Sequence, residues 1–368
     1  MRRRWRWAVV AAAVAALVGV PVVVQALPSA TSRVSATTLL ARIRASSDVP
    51  YSSYAQSTGG LALPAATGPF NLTDLFGGTS RLRVWQRDPQ HWRVDTIDAT
   101  GEHDLHRAQQ GTVSWNYEST TAQAAPADAA PVRLPRSDDL VPANLARRLL
   151  ADTRGSQLTR LADARIAGHD AAGLRVRVDD PRSTITRIDV WALPGDGLPV
   201  RVAVYGKDRA AFLSTTTYDL TLGAPSAATV GWRPAVGVRV ERDPFPDVVS
   251  VVDRFGRSTP PASIAGLPRR AERGLGAVGV YGRGVEVLVA IPLPGRLADN
   301  VVSQLSATPG AVNDADGIAV AAGPIDVQLA QPSNERGSRW LLVGTLQAAA
   351  LRTAVLSLPP VGGFGFGR

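Results

Sequence analysis

The side chains able to do chemistry in this 368-residue chain are few, and the histidines come first. There are four of them: His91, His103, His106 and His169. His103 and His106 stand beside Glu102 and Asp104, and histidine and carboxylate side chains so close together could bind a metal ion. The stretch alternates as a β-strand does, however, and residues three apart in a strand point to opposite faces. We therefore predict exposed polar side chains here and no metal site.

Catalytic motifs are missing as well. The sequence has no Gly-x-Ser-x-Gly elbow, no His-Glu-x-x-His motif and no Walker loop, and Gly282-Arg283-Gly284 lacks the third glycine of a dinucleotide site. Asp179-Asp180-Pro181 is typical of a turn rather than of an acid–base pair. The absence of cysteine excludes disulfides, thiolate catalysis and a lipoprotein attachment site. The sequence therefore predicts a protein that is not an enzyme and carries no cofactor.

The elements that must position any site are β-strands. The strand pattern is clearest between Ile188 and Leu222. Ile188 and Val190 alternate with polar or aromatic neighbours, and Val202 and Val204 do the same after a Pro-Gly-Asp-Gly turn. A second turn, Gly-Lys-Asp, leads into the returning strand. Period-two alternation makes one face of a sheet apolar and the other wet. This stretch predicts an up-and-down antiparallel meander.

Similar alternation recurs about every ten residues upstream, which favours one large antiparallel sheet or barrel. Further strands are predicted at 54–61, 81–87, 91–97, 102–108, 112–118, 164–168 and 173–178, with a loop at 122–135. Apolar residues at helical spacing predict helices at 38–45 and 142–153. The predicted domain boundaries are 38–223 for the sheet, 224–274 for a Pro-rich linker, 275–358 for a small α/β domain and 359–368 for a disordered tail.

Residues 1–30 are typical of a targeting segment. A basic stretch, 1–7, precedes the uncharged run Ala8–Val24, which as a helix would measure roughly 26 Å, close to a ~30 Å hydrocarbon core. Small residues at Val24 and Ala26 fit a signal-peptidase site. We expect residues 30–368 to be exported, with the segment either cleaved after Ala26 or retained as a membrane anchor.

The charge of the chain does not indicate a nucleic-acid partner. The net charge is +9, but Arg2, Arg3, Arg4 and Arg6 all precede the apolar run. Lys207 is the single lysine beside 39 arginines, a bias that indicates a GC-rich, actinobacterial-type genome. The remaining arginines are scattered along the chain rather than bunched, which is not the pattern of a nucleic-acid binder.

Several segments carry a resemblance to a known family. They are the helix Leu39–Ile43 before Tyr51 and Tyr54, 111–117, 160–168 leading into 174–178, and Ile188–Trp191 continuing through Gly197 to Arg201. The span 38–222 thereby resembles the large domain of the periplasmic sigma-E regulatory proteins (RseB/MucB), in the lipoprotein-carrier (LolA/LolB-like) superfamily. The resemblance implies an α+β fold, a curved, unclosed antiparallel β half-barrel with capping helices, whose hollow accepts acyl chains. It covers about half of the chain and does not extend to the C-terminal domain, which in that family contacts an anti-sigma factor.

A lipid-type ligand is compatible with the missing motifs, because an apolar hollow needs no short signature. Burying about fifteen CH₂ groups offers roughly 12 kcal/mol before costs. The predicted lipid-binding residues are Leu82, Val84, Trp92, Val94, Leu174, Val176, Val178, Ile188, Val190, Val202 and Val204. The predicted lid residues are Leu39, Ile43, Leu145 and Leu149.

We therefore expect an exported carrier or sensor of lipid or of lipoprotein acyl chains, tethered to the membrane where the N-terminal helix is uncleaved. The first alternative is a regulator that binds an anti-sigma factor or another membrane protein. The second is a hydrolase of envelope lipids, which would require a Ser or Asp/His set to converge.

Overall fold

The computed structural model describes residues 31–60, 77–97, 101–127, 132–242, 247–271 and 274–365. The predicted export segment and the end of the tail lie outside these residues. Within the described ranges, no helix combines the length and the apolar character that crossing a membrane requires.

A 12-stranded sheet dominates the fold, in the order β12-β6-β5-β4-β3-β2-β1-β11-β10-β9-β8-β7. Its strands are β1 (Tyr51–Gly59), β2 (Thr79–Asp88), β3 (His91–Ile97), β4 (Glu102–Ala108), β5 (Gly111–Asn116), β6 (Thr121–Pro126), β7 (Leu158–Ile166), β8 (His169–Arg177), β9 (Arg187–Ala192), β10 (Pro199–Tyr205), β11 (Ala211–Leu222) and β12 (Arg239–Arg242). The helices associated with it are α1 (Ala36–Ala45), α2 (Pro142–Leu150) and α3 (Ala227–Val230). The sheet is curved and its two outer strands do not pair, so the predicted α+β half-barrel is confirmed.

The predicted meander is present as β9, β10 and β11, and its last strand pairs with β1, the first strand of the chain. That pairing joins the N-terminal strands β1–β6 to the later strands β7–β11 in one sheet. Neighbouring strands are antiparallel throughout, except that β12 pairs with β6 in parallel. The sheet is therefore continuous although the chain builds it in two runs.

Two features of the sheet differ from the sequence prediction. The loop expected at 122–135 begins as strand β6, whose small Ala residues pair along β5. Strand β7 begins at Leu158 rather than at 164, and its pairing with β8 shifts between Leu161 and Ala164. A shift of this kind breaks the period-two pattern by which the strand would be found.

The C-terminal part of the chain contains a six-stranded antiparallel sheet, in the order β15-β16-β20-β19-β18-β17. Its elements, with the short hairpin that precedes it, are α4 (Val248–Phe255), β13 (Ser263–Ile264), β14 (Leu267–Pro268), β15 (Gly279–Arg283), β16 (Glu286–Leu293), α5 (Gly295–Ser306), β17 (Val312–Asp314), β18 (Gly317–Ala321), β19 (Asp326–Ala330), β20 (Arg339–Gly344) and α6 (Ala348–Leu356). Helix α4 lies within the stretch 224–274, and its Val249 and Val252 pack into the core of this sheet. Part of that stretch therefore belongs physically to the C-terminal fold.

The two sheets are joined through the loop before β9. The amide of Thr184 donates to the carbonyl of Thr345 at 2.9 Å, and the amide of Gln347 donates to the carbonyl of Arg182 at 2.8 Å. Phe212 of β11 packs against the apolar cores on both sides. Backbone hydrogen bonds and one shared aromatic ring thus fix the contact.

The large sheet has two distinct faces. We call the face covered by α1 and α2 the inner face, and the opposite one the outer face. On the outer face, Arg93 binds two buried carboxylates: Nε lies 2.5 Å from Oδ1 of Asp95, and Nη2 lies 2.9 Å from Oδ2 of Asp104. Helix α3 packs on β2 and β3, and the carbonyl of Val230 lies 3.1 Å from Nδ1 of His106. The segment that follows β11 therefore closes over this polar cluster.

The cluster holds one positive charge against two carboxylates that are each 1% exposed. Burial raises the pKa of Asp95 to about 6, and the nearby Asp104 carboxylate acts in the same direction, whereas Arg93 opposes the rise. The Oδ1 atom of Asp104 has no hydrogen-bond partner among the described residues. A proton on Asp95 would relieve both the burial and the repulsion.

We predict that this carboxyl makes the protein more stable in mild acid. Because the folded-state pKa of Asp95 lies above its unfolded value of 3.8, its stabilisation is present at low pH and is lost as the pH rises through about 6. Between pH 4 and 7 the effect is on the order of 1–3 kcal/mol. Denaturant unfolding across this range should give a flatter stability profile for Asp95→Asn than for the wild type.

Asp326 supplies the control, because burial raises its pKa to about 6 as well and it lies in the other sheet. Asp326→Asn should remove only its own part of the pH dependence, and the double variant should remove both. An Asp95→Asn profile parallel to that of the wild type would show that the cluster does not take up a proton in this range.

Candidate functional site

The inner face is covered by two short helices whose sequences fit that position. Helix α1 begins where the Ser35 side chain accepts a hydrogen bond from the amide of Thr38 at 3.1 Å, and it buries Leu39, Leu40 and Ile43. Helix α2 begins with Pro142, a residue favoured in the first turn of a helix. The two helices contact each other, and α2 also lies on β10.

The predicted lipid-binding residues come together on this face. Nine of them are at most 4% exposed and belong to one apolar cluster: Leu82, Val84, Val94, Leu174, Val176, Ile188, Val190, Val202 and Val204. Trp92 and Val178 are half-buried and pack against the same cluster. Whether any of these side chains contacts a ligand stays a prediction.

Strand register explains why residues so far apart in sequence share one wall. Val202 lies opposite Val190, which in turn lies opposite Leu174, and the next row is Val204, Ile188 and Val176. Directly opposed residues of an antiparallel pair point to the same face. The rows therefore form an apolar surface across three strands, with the β2 and β3 residues on the same face.

The predicted lid residues divide into two groups. Leu39 and Ile43 are fully buried against the sheet, whereas Leu145 and Leu149 are half-buried at the margin of the cluster. The buried residues of α2 are Pro142, Ala143, Ala146 and Leu150; the sequence pattern places Leu150 on the apolar side of the helix but does not indicate Ala143 or Ala146. The i, i+4 spacing of Ala146 and Leu150 is the signal that would have shown this face.

Arg44 ties the two helices together. Its Nε and Nη2 atoms donate to the carbonyl of Leu150 at 3.0 and 2.7 Å, and Nη2 also donates to the carbonyl of Thr153 at 2.7 Å. The carbonyl of Leu150, at the end of α2, also accepts from the amide of Thr153 at 3.2 Å, and a cation is favourable at this end of a helix. We call the contact of Arg44 with the two carbonyls the Arg44 latch. The sequence did not predict this contact, because an arginine in the last turn of a helix can make several different contacts and its position alone does not indicate which.

Further polar contacts fix the helix ends. Nη1 of Arg147 lies 3.4 Å from the carbonyl of Ser46, and Arg42 donates to the carbonyl of Pro194. Oγ1 of Thr215 donates to the carbonyl of Leu140 at 2.8 Å. The lid is therefore held by polar contacts at its ends and by apolar packing in its middle.

The polar side chains of Tyr51 and Gln86 on the inner face are uncharged. Tyr51 is buried in the apolar cluster, and burial raises the pKa of its phenol to about 12, against a smaller opposing effect of Arg147. The phenol is therefore neutral at physiological pH. Gln86 on the same face donates from Nε2 to the carbonyl of Ser47 at 3.3 Å. The inner face thus offers apolar surface and neutral hydrogen-bonding groups.

The histidines do not gather into one site. His91 pairs with Asp88 at 2.9 Å, His106 lies under α3, and His169 lies 3.4 Å from the carbonyl of Leu220. Exposed His103 has its Nε2 atom 2.8 Å from Oγ of Ser114, a serine–histidine contact that a nucleophile could use. Both residues lie outside the apolar cluster described above.

One acidic group among the described residues has a spacing that a metal ion could use. The carboxylates of Asp95, Glu102 and Asp104 offer oxygen atoms that all lie within 4.8 Å of one another. Arg93 already hydrogen-bonds to Asp95 and Asp104. The group is therefore better explained as an ion-pair network than as a metal centre.

Among the described residues, cavities lie outside the predicted hollow. One of about 460 Å³ lies on the outer face beside His106 and Trp232, one of about 480 Å³ lies between the two sheets beside Phe212 and Asp326, and one of about 630 Å³ lies in the C-terminal part. Over the predicted hollow itself, the apolar side chains of α1 and α2 pack against the sheet. A ligand there requires the two helices to move.

Comparisons with known proteins identify the fold. No family model matches the sequence, and no curated protein matches it either. The structure of the MucA/MucB complex of Pseudomonas aeruginosa contains a chain that is 17% identical, with a TM-score of 0.52, over 89% of this chain and 99% of that one. A structure of MucB in complex with MucA(peri) gives 15% identity and a TM-score of 0.50, over 89% of this chain and 100% of that one.

Matches that cover nearly the whole of both chains include the C-terminal sheet as well as the half-barrel. At this level of identity they show a shared fold. The resemblance of residues 38–222 to the RseB/MucB large domain is confirmed at that level, and it extends beyond the span that the sequence motifs indicated. The chain has the two-sheet fold of MucB, with the half-barrel as its larger part.

Proposed function

We propose that the protein is an exported carrier or sensor that binds lipid or lipoprotein acyl chains between its inner face and the lid helices. The observation that carries this proposal is the apolar wall of β8–β10 and β2–β3, covered by two helices of 10 and 9 residues. An acyl chain could replace the helices' apolar contacts with equivalent ones, because hydrophobic burial is non-directional. The main free-energy cost of replacing the helices by an acyl chain is then the loss of the polar contacts that hold the lid.

The size of that cost is compatible with reversible binding. Each hydrogen bond from a charged donor contributes roughly 1.5–3 kcal/mol, so the Arg44 latch holds the lid by a few kcal/mol. Burying an acyl chain contributes about 0.8 kcal/mol per CH₂ group. A chain of ordinary length can therefore offset opening of the lid. The proposed location is extracytoplasmic, as the targeting segment in the sequence indicates.

The first prediction from this proposal concerns where a lipid binds. A fatty acid with a diazirine at the end of its chain should be taken up and, after irradiation, should label inner-face residues such as Val190, Val202 and Leu39. Mass spectrometry of the digested protein would locate the labels. Labels confined to the outer face or to the C-terminal sheet, or no uptake of lipid at all, would contradict the proposal.

The second prediction concerns the Arg44 latch. Arg44→Ala removes the donors that bind the carbonyls of Leu150 and Thr153, so the open state should become more populated and uptake of a fluorescent fatty acid about tenfold faster. Arg44→Lys keeps the charge but not the planar fork, and should fall between the two. Stopped-flow fluorescence gives these rates.

The control is Arg209→Ala, which removes the same charge from an exposed position in the turn before β11. It should leave the uptake rate unchanged. Equal rates for the wild type and Arg44→Ala would show that parting of these helices does not limit entry.

A regulator that binds a membrane protein is the second candidate. The observation in its favour is that the similar structures are of MucB, whose two matched structures contain MucA, and that the likeness covers the C-terminal sheet. The third prediction separates it from the carrier. A regulator should elute with one membrane protein at fixed stoichiometry after mild crosslinking in cells, whereas a carrier should yield lipid and no stoichiometric partner.

A variant that removes a side-chain contact between the two sheets sharpens this comparison. Gln347→Ala removes a side chain that donates to the carbonyl of Pro181 and lies 3.4 Å from Lys207. Loss of the partner with unchanged lipid uptake would favour the regulator. Absence of any stoichiometric partner in the wild type would remove that candidate.

A further inference from the structure

The outer face of β8–β10 carries a concentration of positive charge that the lipid hollow does not use. Strand alternation places four arginines there, Arg175, Arg177, Arg187 and Arg201, which we call the outer arginine patch. Asp189 is the acid that shares this face of the three strands, so the local net charge is +3. The helices α1 and α2 cover the other face.

Asp189 does not neutralise the patch. Arg175 binds it through two hydrogen bonds of 2.7 Å, from Nε to Oδ1 and from Nη2 to Oδ2, and the carboxylate is buried. Nε of Arg187 lies 3.9 Å from the same carboxylate and has no hydrogen-bond partner among the described residues. One carboxylate therefore serves two guanidinium groups, and Arg175 holds it in the better geometry.

Two of the arginines oppose each other. Arg177 of β8 lies directly opposite Arg187 of β9, and Arg177 is exposed and makes no ion pair within the described part of the chain. Like charges directly opposite on neighbouring strands destabilise a sheet. An anion bound between these two side chains would relieve the repulsion.

Aromatic rings keep the arginines available to such an anion. The guanidinium of Arg187 lies 3.6 Å from the centroid of the Tyr205 ring, and that of Arg201 lies 5.1 Å from the Trp191 ring. A guanidinium that stacks on a ring leaves its edge N–H groups free, and this planar fork matches the oxygens of a phosphate group. The surface therefore combines phosphate-binding groups with amphipathic rings of the type found at membrane interfaces.

We propose that the outer arginine patch docks the protein on a membrane surface rich in acidic phospholipids. The position of the N-terminal segment favours a membrane over other anionic partners. The amide of Ser32 donates to Oδ2 of Asp163 at 2.5 Å, so the chain enters the fold at β7, the strand next to β8. Residues 25–31 separate the apolar run from this point and span at most about 25 Å. An uncleaved segment thus brings this edge of the sheet close to the bilayer.

This inference shares the extracytoplasmic location with the proposed function but uses the opposite face of the sheet. Docking by the outer face leaves the lid helices on the side away from the headgroups. The lipid hollow and the docking surface can therefore be tested separately on the same variants.

The test uses the chain without residues 1–26, which keeps every described element, and vesicles of phosphatidylcholine with or without 30% phosphatidylglycerol. The protein should float with the acidic vesicles at low salt, should be released by 0.5 M NaCl, and should not bind the neutral ones. Each arginine contributes about fivefold to partitioning, so Arg177→Gln with Arg187→Gln should weaken binding about 25-fold.

The matched control is Arg283→Gln with Arg296→Gln, two exposed arginines of the C-terminal part, which lowers the net charge by the same amount. Its binding should stay within twofold of the wild type. Arg201→Gln alone, on an exposed side chain, should weaken binding about fivefold and serves as the second variant if the double one does not fold.

Three results would overturn the proposal: no binding of the wild type to acidic vesicles, equal losses for the outer-face and control variants, or wild-type affinity of the outer-face variant. Fatty-acid uptake in solution should be the same for the wild type and the outer-face variant. Loss of vesicle binding with intact uptake supports the docking surface, whereas absent uptake with intact vesicle binding counts against the lipid hollow alone.

Discussion

The structure depends on one constraint: a curved antiparallel sheet must cover its apolar inner face. Period-two alternation over strands such as β8, β9 and β10 directs Val and Ile side chains to that face, and leaving them in water would cost about 25 cal/mol per Å². The sheet does not close on itself, so α1 and α2 supply the cover. Because the covering helices are separate from the sheet, they can move away from the inner face without breaking strand pairs. In a closed barrel, exposing the interior would require strand pairs to break.

The same alternation determines what lies on the other face. Every Val that points inward on β8–β10 has a neighbour that points outward, and in this chain that neighbour is often an arginine. Along the sequence these arginines are scattered, because they are distant from one another and alternate with apolar residues. Cross-strand register brings them together, so the absence of a basic run in a β-protein says little about charge on its surface.

The sequence predicted the strands with regular alternation well, and it predicted the membership of the apolar wall. The predicted strand bounds and the predicted buried face of α2 were wrong where the alternation or the helical period was disturbed. The shifted pairing of β7 and the Ala-rich β6 carried no clear pattern, and α2 buries Ala146 where Leu145 was expected. The Arg44 latch could not be predicted from the sequence for a different reason. Its acceptors are main-chain carbonyls more than one hundred residues away along the chain. Contacts to the backbone depend on the fold and leave no residue signature.

The distribution of polar groups over the sheet explains how one fold can separate two kinds of contact. On the inner face the side chains of Tyr51, Gln86 and Thr215 are neutral, and Gln86 and Thr215 bond to the ends of covering segments, so an incoming apolar chain would desolvate no charge on these strand residues. On the outer face charge is plentiful, and it is buried at Asp95 and Asp104, which Arg93 and α3 enclose, and at Asp189, which Arg175 binds. Apolar contacts and ionic contacts thus lie on opposite faces of the same sheet, in which neighbouring strands are about 5 Å apart. A substitution on one face changes the other only through strand pairing, which is the reason that the inner and outer surfaces can be probed independently.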